Sequence, residues 1–137
     1  MSIVLDIDPG AAVPIWRQIE DGMRRLVASR SLPPEAPIPS VRELARSLRV
    51  NPATVSKAYQ LLVDAGLLTV RRGEGTFVAD LSDEDLAAER ARLLDEAARR
   101  FVSGARSVGA SRGEAARSVT VAWKAANEGG EGTRDAT

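Results

Sequence analysis

Hydrophobic and polar positions change period several times along the chain, and each change marks an element. Ile3, Leu5 and Ile7 alternate with Val4, Asp6 and Asp8, a period of two that predicts a short half-buried strand or extended arm over residues 1–9, stopped by Pro9-Gly10. From Pro14 the period becomes helical. Trp16, Ile19, Met23, Leu26 and Val27 share one face, and Arg17, Glu20, Asp21, Arg24 and Arg25 fill the other. Pro14 suits a first turn, so the spacing predicts a helix over 14–29. Pro33, Pro34, Pro37 and Pro39 follow. Each removes a backbone donor and restricts the residue before it, which predicts a stiff, non-helical connector.

Ser40-Val41-Arg42-Glu43 has the form of a capping box, in which the Ser40 hydroxyl and the Glu43 carboxylate each satisfy a free backbone N–H. Val41, Leu44, Ala45 and Leu48 form the apolar side of the short helix it starts, and the pattern stops at Arg49-Val50. Asn51 is then an N-cap and Pro52 a first helical residue. Two helices joined so tightly make a helix-turn-helix. In the second of them Val55, Ala58, Tyr59 and Leu62 face inward, leaving Ala53, Thr54, Ser56, Lys57 and Gln60 outside. Gly66 ends it in a left-handed conformation, with Leu67 against Leu62. Leu67-Leu68-Thr69-Val70 and Thr76-Phe77-Val78, around a tip of Arg71-Arg72-Gly73-Glu74-Gly75, predict a β-hairpin.

Beyond Asp80 the chain turns to Ala, Arg and Glu. Ser82 caps a helix whose apolar positions, Leu86, Leu93, Leu94, Ala97, Phe101, Ala105 and Val108, recur in steps of three and four. Gly109-Ala110 breaks it. A second capping box, Ser111 with Glu114, opens another stripe of Ala115, Val119, Ala122, Trp123 and Ala126. The predicted fold is mainly α: an α+β winged helix-turn-helix with a two-stranded wing over 1–79, a C-terminal two-helix hairpin over 80–127, and a glycine-rich tail at 128–137 expected to be disordered. Trp16, Tyr59 and Trp123 are expected in the core.

Composition narrows the chemistry. A chain of 137 residues holds one ordinary domain or a small domain with an appendage. Neither Cys nor His occurs, so disulfides, thiolate nucleophiles, Cys/His zinc sites and imidazole catalysis are excluded, and neither an enzyme nor a cofactor is expected. No uncharged apolar run suits a membrane span, and the first ten residues carry acids where a signal peptide needs bases, which points to the cytoplasm. Net charge is zero, yet residues 40–75 hold six bases against three acids.

That basic stretch coincides with the helix-turn-helix and the hairpin. A helix entering the major groove needs small or polar residues at its start, because its backbone approaches base edges while short side chains donate and accept. Asn51, Ala53, Thr54, Ser56 and Lys57 meet that need. Free N–H groups at the helix starts near Ser40 and Asn51, with Arg42 and Arg49, suit phosphates. Arg71, Arg72, Gly73 and Gly75 put cations on a thin backbone suited to a groove edge. Each residue alone has a plainer role as cap, turn or solvated charge, and the conjunction favours double-stranded DNA. One winged helix makes too few contacts for tight binding, whereas a two-fold dimer reads a palindromic operator. Leu86, Leu93, Leu94, Ala97, Phe101, Val108, Val119 and Trp123 are the candidate dimerisation residues. The alternatives are a winged-helix module for protein–protein contact and a regulator sensing a small molecule at its dimer interface, although nothing in the sequence identifies an effector.

Pro14 to Ile19, Pro39 to Ala45, Val50 to Tyr59, Ala65-Gly66-Leu67 and Arg71 to Val78 together resemble the GntR family of bacterial transcription regulators, and the short tail with Val-Asn-Pro-Ala-Thr-Val-Ser resembles its YtrA subfamily. The resemblance implies that Arg42 contacts DNA backbone or a guanine, that Asn51, Ala53, Thr54, Ser56 and Lys57 line the major groove, and that Arg71, Arg72, Gly73 and Gly75 form the wing contact. It further implies a repressor acting near its own gene or a transporter operon. Two positions depart from the family pattern: Arg49 stands where a turn glycine is usual, and Glu35-Ala36 where a glycine-containing turn is usual. A left-handed conformation at Arg49 costs about 1 kcal/mol or more and adds a cation near the phosphates.

Overall fold

Three helices close around the apolar face of the third. In the computed structural model, which describes the backbone of residues 3–134 and side chains to residue 129, these are α1 (Ile15–Ala28), α2 (Val41–Leu48) and α3 (Pro52–Asp64). Val55, Ala58 and Leu62 of α3 are fully withdrawn from water, as are Ile19, Met23 and Val27 of α1, and Leu44 of α2 is nearly so. α3 packs against both other helices and against the first strand of the hairpin. The helical periods predicted for all three segments therefore converge on one core, completed by Leu67, Leu68 and Val78.

The hairpin consists of β2 (Leu68–Arg71) and β3 (Gly75–Val78), paired antiparallel with Thr69 opposite Phe77. The proline-rich connector contributes more than stiffness. Its Pro37–Ile38 forms β1, which pairs antiparallel with β3, giving a three-stranded sheet of order β1-β3-β2. Proline is tolerated there because β1 is an edge strand. Neighbouring bonds continue the pairing: Glu35 N–H donates to Val78 C=O at 3.0 Å and Val78 N–H to Ala36 C=O at 2.9 Å.

The amino-terminal arm is extended but forms no strand among its described residues. Ile3 is buried and Leu5 lies on α1 at Gly22, where a Cβ would come within 2.8 Å of Leu5 Cδ2. Gln18 secures the arm. Its Oε1 accepts from Asp8 N–H at 2.8 Å, and its Nε2 donates to the carbonyls of Asp8 and Val13 at 2.9 Å each.

Helix ends show how local sequence becomes geometry. Ser40 Oγ accepts from Glu43 N–H at 3.1 Å as predicted, but the Glu43 carboxylate takes the Ser40 hydroxyl at 3.1 Å and not a backbone N–H, so only half of the capping box is made. At the other end of α2 the Val50 N–H donates to Ala45 C=O at 3.0 Å, the six-to-one bond of a Schellman motif. α3 ends with the same bond, Leu67 to Leu62 at 2.9 Å. The motif needs one left-handed residue. Gly66 supplies it for α3 at φ 79°, and for α2 it is Arg49, at φ 57° and ψ 47°. Glu35, the second departure from the family pattern, is left-handed as well, at φ 68°.

Tyr59 ties α3 to the start of α2. Its hydroxyl donates to Pro39 C=O at 2.8 Å inside the core. Burial, reinforced by the nearby Glu43 carboxylate, pushes the phenol well above the ordinary tyrosine range.

The winged-helix unit runs past residue 79 and ends at Leu93, within α4 (Asp83–Ser107). Leu86 is buried in its core, which removes it from the expected dimerisation residues. Arg24 of α1 bridges Glu89 at 3.1 Å. Burial opposes the Glu89 charge, yet hydrogen bonds from Arg92 and Arg24 outweigh it and hold the carboxyl below the usual range. A second unit begins at Leu94 and contains the rest of α4 and α5 (Arg112–Arg134). Ser111 and Glu114 cap each other reciprocally at its start. The backbone of 128–134, within the stretch expected to be a tail, continues α5. Residues 135–137 of that expected tail lie outside the described residues. Trp123, expected in the core, is 71% exposed.

Two outcomes follow for stability. Tyr59 is the only tyrosine, so phenolate absorbance titrates one group. It should not rise near the ordinary value of about 10 but only as the chain unfolds. A raised folded pKa gives stability that is complete below the unfolded value and lost as pH climbs toward the folded one. Tyr59→Phe should remove that alkaline loss and lower stability by about 1–2 kcal/mol in urea, because Pro39 C=O is left unpaired. Arg49→Gly should leave the fold unchanged and raise stability by up to about 1 kcal/mol, the left-handed strain relieved minus the added freedom of the unfolded chain.

Candidate nucleic-acid interface

Burying one face of α3 dictates what the other presents. Asn51, Ala53, Ser56 and Lys57 are exposed at its start and Thr54 is half-exposed. Asn51 Oδ1 accepts from Ala53 N–H at 2.9 Å, so its oxygen serves the cap while its amide N–H groups point to no partner among the described residues. Pro52 at the first helical position has no N–H to satisfy. The result is a helix start with small side chains and a close-lying backbone. Lys57 departs from a simple solvated cation, because its Nζ lies 4.2 Å from the centre of the half-buried Trp16 ring, a cation–π contact that holds the ammonium beside α1.

α2 supplies the cations. Its inward face, with Leu44 and Ala45, turns Arg42 outward, and Arg42 and Arg49 line one hollow together with Ala45, Arg46, Val50 and Pro52. Arg46 has no place in the motifs read from the sequence, and only the folded α2 brings it to this hollow. Its one available signal was the spacing 42, 46, 49, which is one side of a helix. No ion pair engages any of the three among the described residues. Ser40, the remaining candidate on α2, has its hydroxyl occupied by Glu43.

The wing divides its two arginines. Arg71 stacks on Phe77, with Cζ 4.1 Å from the ring centre, and lies 3.7 Å from Glu35. Arg72 is exposed at the tip. Glu74 N–H donates to Arg71 C=O at 2.9 Å across a turn with Gly73 at φ 78°, and Gly75 follows at φ 124°, a conformation that excludes ordinary side chains. The structure thus places Arg42, Arg49, Asn51, Ala53, Thr54, Ser56 and Lys57 on adjoining parts of α2 and α3, and Arg72, Gly73 and Gly75 at the hairpin tip, with Arg71 turned back onto its own sheet. No cluster of acidic side chains that could hold a metal ion occurs among the described residues.

Dimerisation candidates other than Leu86 sit on the later part of α4 and on α5. Leu93 is half-buried; Leu94, Ala97, Phe101, Val108, Val119 and Trp123 are exposed. Within the second unit Ala105, Ala110 and Ala115 are partly covered near the turn. Away from it, no described side chain from Leu94 onward is buried. No described helix is long and apolar enough to cross a membrane.

Comparison with known proteins agrees with this arrangement. The model of the bacterial regulatory proteins of the GntR family matches residues 16–78. The transcriptional repressor YtrA of Bacillus subtilis is 33% identical over 106 residues, covering 77% of this chain and 82% of that protein. A helix-turn-helix transcriptional regulator of Mycobacterium tuberculosis is 32% identical over 116 residues, covering 85% and 91%. Among solved structures, a transcriptional antiterminator from Listeria monocytogenes superposes with a TM-score of 0.67 at 28% identity over 89% of this chain and 90% of that one. YtrA from Sulfolobus acidocaldarius, a GntR-family transcription factor, does so with a TM-score of 0.55 at 36% identity over 68% and 99%. The chain, with its exposed α3 start and unpaired arginines, belongs to the GntR family and is a DNA-binding regulator of transcription.

Proposed function

We propose that the chain is a homodimeric repressor that binds a palindromic operator in the cytoplasm, near its own gene or a transporter operon, and blocks the promoter. The observation that carries the reading is the α3 start, where Asn51, Ala53 and Ser56 are exposed beside the unpaired Arg42 and Arg49. Base edges are met by short polar groups on α3, and phosphates by the guanidiniums of α2 and Arg72 of the wing. The Bacillus subtilis relative is a transcriptional repressor, which supports repression.

Dimerisation is supported by the second unit. Phe101, Val119, Leu94 and Trp123 expose from 40% to 71% of their surface, more apolar side chain than two helices in water retain without a partner. A second copy supplies the matching surface, because a two-fold axis sets each stripe against its own kind. Two winged helices then act on one operator, and linking them multiplies affinity without new contacts.

Selection of bound duplexes from a random pool should return a two-fold symmetric site; asymmetric or sequence-indifferent recovery would overturn the reading. Ala53→Glu places a carboxylate in the first turn of α3, where the helix dipole favours it, so the thermal midpoint should hold or rise. Affinity for the selected duplex, measured by fluorescence anisotropy, should nonetheless fall at least about thirtyfold, or about 2 kcal/mol. Sedimentation equilibrium should give twice the 14.6 kDa chain mass for the wild type. Trp123→Glu should shift it to single chains at micromolar concentration.

A further inference from the structure

The basic side chains of the helix-turn-helix and wing differ in what already holds them. Lys57 sits over Trp16 and Arg71 over Phe77. Arg72 shares the hairpin tip with Glu74. Arg42, Arg46 and Arg49, by contrast, are all exposed, line one hollow and have no partner among the described residues. The one acid of α2, Glu43, is bonded to Ser40. Like charges one helical turn apart are mutually destabilising, and Arg49 adds left-handed strain. No contact among the described residues offsets either cost, which points to an anion outside the chain.

The form of the hollow narrows that anion. Val50, half-buried, and Pro52, exposed, contribute apolar surface beside the guanidiniums. An apolar floor edged by cations fits a sugar–phosphate strand, with deoxyribose on the floor and phosphates at the rim. From residue 42 to 49 a helix advances about 10 Å at 1.5 Å per residue, and phosphates of one strand advance about 3.4 Å each along the duplex. The outer two arginines are therefore about three phosphate steps apart, and the three side chains fall within a run of about four consecutive phosphates.

Resting on the DNA-binding reading above, we propose that Arg46 joins Arg42 and Arg49 in one clamp on the phosphates of a single operator strand. The outer face of α2, more than the wing, then supplies the sequence-independent part of the affinity. Arginine geometry suits the task, since its fork grips phosphate through two parallel bonds.

The test is the salt dependence of binding to the selected duplex and to a scrambled one, for the full chain and for Arg46→Gln, Arg46→Lys, Arg72→Gln and the triple variant R42Q/R46Q/R49Q, each checked for helix content by circular dichroism. Arg46→Gln should flatten the slope of log affinity against log salt by about 0.9. Between 50 and 200 mM salt its affinity should then fall about threefold less than that of the wild type, alike on both duplexes. Arg46→Lys should keep the wild-type slope, and the triple variant should lose far more slope than Arg72→Gln. An unchanged slope in Arg46→Gln, an Arg46→Lys slope as flat as that of Arg46→Gln, or a larger loss in Arg72→Gln than in the triple variant would overturn the clamp while leaving DNA binding intact. Failure of the wild type to bind any duplex would overturn both.

Discussion

α3 can offer one face to a ligand only because the other is held without freedom. Val55, Ala58 and Leu62 are sealed between α1, α2 and the hairpin, and the Tyr59 hydroxyl fixes Pro39, the residue that precedes the cap of α2. That buried bond matters more than its share of the total energy. It ties the middle of α3 to the residue before the cap of α2, and so braces together the two helices whose starts carry the short polar side chains and the arginines. A phenol so placed is costly to ionise and costly to lose.

The turn between α2 and α3 shows a second constraint, in which stability and charge conflict. A Schellman end requires one left-handed residue, and α3 meets the requirement with Gly66 at no steric cost. α2 meets it with Arg49, accepting strain and gaining a cation at the mouth of the hollow. Glu35 repeats the choice in the connector, and its carboxylate approaches Arg71 at 3.7 Å. Where the backbone asks for glycine and the chain supplies a charge, function is the natural place to look for the compensation.

Much of the site was legible before folding because its signals are local. Asn51-Pro52 initiates α3 whatever surrounds it, the period of Val55, Ala58 and Leu62 decides which residues face outward, and Gly73 marks the tip of the hairpin. What escaped depends on contacts between distant residues. Pro37–Ile38 became a strand because β3 offered an edge. Gln18 became the anchor of the arm through carbonyls ten and five residues away. Leu86 has the same helical spacing as Phe101, yet one is buried in the winged-helix core and the other is exposed, a distinction that periodicity cannot draw.

The amino-acid sequence by itself determined the helices, their caps, the hairpin and the outward set on α3, because each follows from hydrogen bonds and side-chain periods within a few residues. Tertiary structure alone decided which cations are available. Lys57 and Arg71 are taken up by aromatic rings from other elements, while Arg42, Arg46 and Arg49 converge on one hollow. Availability of a charge is a property of its neighbours in space, and those neighbours exist only once the core has closed.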